Sequence, residues 1–125
     1  RLYLWRGGEL KQITQDHSYV AQLVNNGDIT TEEARRHPQR NVILRAVGAD
    51  ETLESDVFCF DIKTGDRVLL CSDGLSDMAA DDEIAAVLVE PDADKAAEDL
   101  IELALNNGGR DNVSVILLDF CAEEI

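Results

Sequence analysis

The sequence predicts an α+β fold with antiparallel strand pairing, and three observations carry that reading. The chain opens on two alternating segments around a glycine pair. Its most apolar runs are short and strand-like. Two helix-period segments stand next to each other late in the chain instead of alternating with strands.

Each element has a local cause. Residues 1–5 and 9–14 flank Gly7-Gly8, a pair suited to the positive φ angles of a tight hairpin turn. A short helix is expected over 19–26, with Val20, Leu23 and Val24 on one face and Gly27 at its end. Thr30-Thr31-Glu32-Glu33 fits a capping box with Thr30 as N-cap, and Pro38 stops that helix at His37. The polar stretch 16–40 is placed on the surface, and periodicity leaves 41–47 open between strand and helix. Residues 57–62 read as a strand, 63–66 as a turn, and 67–71 as a continuous apolar strand of the kind buried on both faces. Asp81 is expected to cap a helix over 82–89 with Ile84, Val87 and Leu88 inward. Asp92 is expected to cap another over 93–106, with a stripe of Ala97, Leu100, Ile101, Ala104 and Leu105. Gly108-Gly109 ends it, and 113–120 form a last strand.

The net charge of −15 argues against nucleic acid and against anionic membrane surfaces, both of which need clustered Lys and Arg. No apolar run approaches the roughly 20 residues that span a bilayer. The three cysteines are an odd number, and Cys59 and Cys71 lie in apolar runs. That pattern predicts buried, reduced thiols in a cytoplasmic protein, with no disulfide framework. The chain begins in mid-pattern without Met, as a piece of a longer protein would.

Two carboxylates stand where apolar strands end or begin. Asp73 follows strand 67–71 and precedes Gly74; Asp111 follows Gly108-Gly109-Arg110 and precedes the last strand. If those strands are neighbours, both carboxylates project at one sheet edge as hard oxygen ligands suited to Mg²⁺ or Mn²⁺. Gly74 would let the backbone pass close to such an ion. Alone, each motif is ordinary turn chemistry.

Their order and surroundings add to this. Arg1-Leu2-Tyr3-Leu4, Gln15-Asp16-His17-Ser18, Gly27-Asp28-Ile29-Thr30, Glu32-Glu33-Ala34 and His37-Pro38 come first. Asn41, Arg45-Ala46-Val47-Gly48, Gly65-Asp66-Arg67, Leu69-Leu70-Cys71-Ser72-Asp73-Gly74-Leu75 and Gly108-Gly109-Arg110-Asp111-Asn112-Val113-Ser114-Val115 follow. With these blocks in this order, the chain resembles the PPM (type 2C) metal-dependent protein serine/threonine phosphatases, closely the bacterial ones. The resemblance implies half of an α-β-β-α sandwich, residues 1–125 being the C-terminal part of one phosphatase domain with a small flap at about 16–47. It implies hydrolysis of phosphoserine and phosphothreonine proteins by a water bridging two Mg²⁺ or Mn²⁺ ions, with no phosphoenzyme. Asp73 and Asp111 match the family's late metal-binding aspartates, Asp77 a position that helps hold a third ion in some members, and His37 a flap histidine near substrate. A cognate Ser/Thr kinase is the implied partner.

In the family, further ligands and a phosphate-binding arginine precede the point matching Arg1. The chain alone is therefore expected to be inactive and prone to aggregate. Other phosphatase chemistries fail on spacing. A cysteine nucleophile needs Arg six positions on, where Cys59 has Gly65 and Cys71 has Asp77. Asp92-Ala93-Asp94 opens a helix instead of ending a buried strand. The alternative is a non-catalytic PPM-like regulatory or phosphoprotein-binding module.

Overall fold

The computed structural model describes residues 1–123. In chain order its elements are β1 (Leu2–Arg6), β2 (Glu9–Gln12), α1 (Tyr19–Asn25), α2 (Thr31–Arg36), β3 (Arg67–Cys71), α3 (Asp73–Ser76), α4 (Asp81–Leu88), α5 (Ala93–Asn106) and β4 (Val115–Asp119). They divide into two compact units. One is Arg1–Thr14 with the residues from Cys59 onward, and the other is Gln15–Phe58.

The first unit is built on an antiparallel sheet in the order β2-β1-β3-β4. Its hairpin forms as the glycine pair predicts. Gly7 and Gly8 have φ of 58° and 83°, left-handed values required at both centres of a type I′ turn. Alternation then sorts side chains between two faces. Tyr3, Leu69 and Leu117 lie side by side in the register. They join Leu75, Ala79, Ile84, Leu88, Leu100 and Ala104, from α3, α4, α5 and the residues around them, in one core. Leu70, Ile116 and Leu118 stand on the other face and are 36%, 58% and 44% exposed. The expectation that β3 is buried on both faces thus holds at Val68 and fails at Leu70, because the helices of this unit cover one face.

Tyr3 ties the core to the start of α4. Its hydroxyl accepts from Arg1 Nη1 at 2.8 Å and donates to Asp81 Oδ1 at 3.2 Å, and burial pushes its pKa up to about 12. Asp81 is therefore not the N-cap the sequence suggested. Ala80 holds that position, and Glu83 accepts from the Ala80 amide at 2.9 Å. Asp92 does cap α5, its Oδ1 accepting from the Asp94 and Lys95 amides at 3.0 and 3.1 Å. The buried stripe of α5 is Ala96, Leu100 and Ala104. Ala97 and Ile101 are half-buried and Leu105 is exposed, because α3, α4 and β4 meet the Ala96 side of the helix.

Two sequence expectations fail together. Residues 57–62 form no strand, and Cys59 is exposed instead of buried. A strand exists only with a hydrogen-bonded neighbour, and β2 and β4 are the sheet's edges without residues 57–62 beside them. Cys71 is half-buried and Cys121 exposed, and none of the three is in a disulfide.

Two arginines brace the end of the sheet near the 63–66 turn. Arg67, almost fully buried, pairs with Asp119 at 2.6 and 2.9 Å and donates to the carbonyls of Leu88, Glu90 and Pro91. One guanidinium thus joins β3, β4 and the end of α4, and it holds the Asp119 carboxyl below its ordinary range. Arg6 grips Asp66 at 2.8 and 2.6 Å. The Lys63 amide also donates to Asp66 at 2.7 Å, closing the turn.

In the second unit, Ser18 caps α1 by accepting from the Ala21 amide at 3.2 Å. The Thr30–Glu33 capping box opens α2 as predicted. Residues 41–47 are irregular, with one antiparallel bridge between Ser18 and Ile43. Asp56 accepts from Arg45 at 2.9 Å and lies 2.8 Å from His17 Nε2. Those partners, Arg45 foremost, hold its carboxyl below the ordinary range.

Arg67→Met is expected to destabilise the fold by about 2–4 kcal/mol, since Asp119 and three carbonyls lose their donor; urea unfolding measures it. Asp66 ionises at about 2 instead of 3.8, held down first by Arg6. A carboxyl depressed in the folded state adds stability above its unfolded pKa and loses it as pH falls through the folded one. Asp66→Asn should therefore lower stability at neutral pH and flatten its decline between about pH 4 and 2, read as melting midpoint against pH.

Candidate functional site

The segments that carry Asp73 and Asp111 adjoin at one end of the sheet. β3 pairs with β4 so that Cys71 lies opposite Val115, and the chain leaving β3 runs beside the chain approaching β4. The Ser72 amide continues the ladder to the Ser114 carbonyl at 3.0 Å. Asp73 then opens α3 next to the segment carrying Asp111 and Asn112. Asp73, Asp77 and Asp111 are exposed.

Gly74 fixes how closely these segments approach. It is buried, and a Cβ built on it would lie 2.1 Å from the Asn112 carbonyl oxygen and 3.2 Å from Val113 Cα. No side chain fits in that space. Its close partner among the described residues is the backbone of the opposite motif. Asp111 Oδ1 accepts from the Asn112 amide at 2.7 Å, which shapes the turn into β4.

Asp77 sits one helical turn beyond Asp73, its amide donating to the Asp73 carbonyl at 2.8 Å. The short helix α3 that spaces them was not foreseen, since four residues are too few to show periodicity. His37 belongs to the second unit, at the end of α2. Its Nδ1 accepts from the Gln39 amide at 3.0 Å, and its ring meets Tyr19 edge-on at 6.1 Å.

The donor set at the sheet end has the right chemistry for a hard divalent ion but is small. Mg²⁺ and Mn²⁺ favour carboxylate oxygens and keep several waters, so two exposed aspartates fit as part of a coordination sphere. Among the described residues, no group of three or more His, Cys, Asp or Glu is placed to hold an ion. A cavity of about 280 Å³ lies at the opposite end of β3, lined in part by Trp5, Asp66, Arg67, Glu90 and Phe120. Its strongest donor, Arg67, is already paired with Asp119, so that cavity is separate from the aspartates in both place and chemistry.

Serine/threonine protein phosphatase PstP of Mycobacterium tuberculosis is 50% identical to this chain over 119 residues, 95% of this chain and 23% of that protein. Serine/threonine phosphatase stp of Listeria monocytogenes is 38% identical over 120 residues, 95% of this chain and 48% of that protein. The chain thus spans between about a quarter and a half of these curated relatives. The crystal structure of M. tuberculosis PstP/Ppp superposes with a TM-score of 0.89 at 47% identity, covering 98% of this chain and 52% of that one. The PPM Ser-Thr phosphatase MsPP of Mycobacterium smegmatis, solved with cacodylate, gives 0.87 at 42% identity, over 95% of this chain and 51% of that one. The PstP catalytic domain in complex with two manganese ions gives 0.85 at 44%, over 98% of this chain and 50% of that one. No family model matches the chain.

Gly74→Ala tests the contact between the motifs. Both clashing groups are backbone, so one segment must move, and a loss of about 1–3 kcal/mol is expected in thermal or urea unfolding.

Proposed function

Because this chain belongs to the PPM-type serine/threonine phosphatase family, of whose matched relatives it spans about half or less, we propose that it is part of a metal-dependent protein phosphatase. Its substrates are phosphoserine and phosphothreonine side chains. The observation that supports this reading is the contact of Gly74 with Asn112, which sets the segment carrying Asp73 against the segment carrying Asp111 at the adjoining ends of β3 and β4.

Mg²⁺ or Mn²⁺ bound there, as a pair, would activate water and neutralise charge on the phosphate oxygens. Asp73 and Asp111 would supply two anionic oxygens from opposite segments, and the backbone between them sets their separation. Asp77, one turn on, would contribute to a weaker third position. The flap would be the stretch of about 16–47, and His37 in it would approach the substrate. Two carboxylates are too few for two ions, so the remaining ligands come from elsewhere in the protein, and the chain by itself is inactive. The reading extends to a cytoplasmic enzyme that reverses the work of a cognate Ser/Thr kinase. No helix among the described residues is long and apolar enough to cross a membrane.

The test is Mn²⁺-dependent release of phosphate from a phosphothreonine peptide by the full-length protein and by the isolated chain. Activity in the full-length protein alone, lost in Asp73→Asn and in Asp111→Asn, is the expected result. Turnover by the isolated chain, or full activity in both variants, would overturn the assignment.

A further inference from the structure

Ser72 stands at the N-cap of α3 with an extended backbone, the position from which a serine hydroxyl ordinarily accepts from its own helix. Here it makes no such bond. Its Oγ turns across the gap between strands, accepting from the Ser114 amide at 3.0 Å and lying 3.4 Å from the Asn112 carbonyl. The Ser72 amide bonds the Ser114 carbonyl as well, so this one residue holds the opposite segment at several points. Those points lie at Asn112, directly after Asp111, and at Ser114, while Ser72 itself directly precedes Asp73.

We propose that Ser72 is a positioning residue, whose hydroxyl sets the separation of the Asp73 and Asp111 segments and thereby their joint affinity for a divalent ion. This rests on the reading of those aspartates as metal ligands. Gly74 allows the segments to come close, and the β3–β4 ladder fixes their register as far as the Ser72–Ser114 backbone bond. The Ser72 hydroxyl adds a directional bond to the Ser114 amide where that ladder ends, and so holds the spacing of the two segments just beyond it. A partner that orients a ligand without touching the ion typically changes metal affinity by about 10–100-fold when removed. Its effect on the unbound fold is small, because Ser72 is only half-buried and the ladder beneath it remains.

The experiment measures Mn²⁺ binding directly in the full-length protein, by the loss of the free-ion electron paramagnetic resonance signal. Melting of the metal-free protein is followed in parallel. Ser72→Ala should weaken binding by about tenfold or more while leaving metal-free melting unchanged, and Ser72→Thr, which restores a hydroxyl, should recover most of the affinity. Unchanged affinity in Ser72→Ala would overturn the proposal. So would a loss matched by lowered metal-free melting and not recovered by threonine, which would assign the hydroxyl to the scaffold alone. Asp73→Asn in the same assay separates the two levels. If it binds Mn²⁺ as the parent does, the ligand reading falls and takes the role of Ser72 with it. If Asp73→Asn loses binding and Ser72→Ala does not, only the positioning role falls.

Discussion

The contact between Gly74 and the Asn112 backbone is the constraint on which the rest of the molecule's chemistry depends. A buried glycine at a point where any Cβ would lie 2.1 Å from a carbonyl oxygen forces the chain leaving β3 against the chain approaching β4. The antiparallel register Cys71–Val115 extends one further step through Ser72 and Ser114. The segments carrying Asp73 and Asp111, 38 residues apart in the chain, become neighbours through backbone contacts before any side chain is considered.

The remainder of the first unit holds that geometry still. Helices α3, α4 and α5 close over Tyr3, Leu69 and Leu117, so the strand that delivers Asp73 is anchored in the core. At the other end of β3, Arg67 is paired with Asp119 and bonded to three carbonyls. β3 is thus fixed at both ends by different means: a buried charge network at one, a glycine contact and a serine hydroxyl at the other. The opposite face of the sheet carries exposed Leu70, Ile116 and Leu118, side chains whose burial would favour a further layer.

Local signals translated well where the cause was local. The Gly7-Gly8 turn, the Thr30–Glu33 box and the Asp92 cap involve groups within a few residues of one another, and each formed as read. Where a distant partner competed, the reading shifted. Asp81 looked like a cap, yet the Tyr3 hydroxyl, 78 positions away, donates to its carboxylate. Residues 57–62 had strand composition and formed no strand, and Cys59 lost its expected burial with it. Helix α5 turned its Ala96 side inward because the elements packed around it selected that part of a broad apolar stripe.

From the sequence by itself came most of the elements, the Gly7-Gly8 turn, the caps at Thr30 and Asp92, the family resemblance, and the two carboxylates worth following. These depend on residue type and short spacing, which the chain carries wherever it goes. Which strands are neighbours was decided only in three dimensions, since pairing β3 with β4 depends on burying one shared face under three helices. The same holds for the turning of the Ser72 hydroxyl away from its own helix toward Ser114. A hydrogen bond forms with whatever donor the fold brings within reach, and spacing along the chain does not reveal which donor that is.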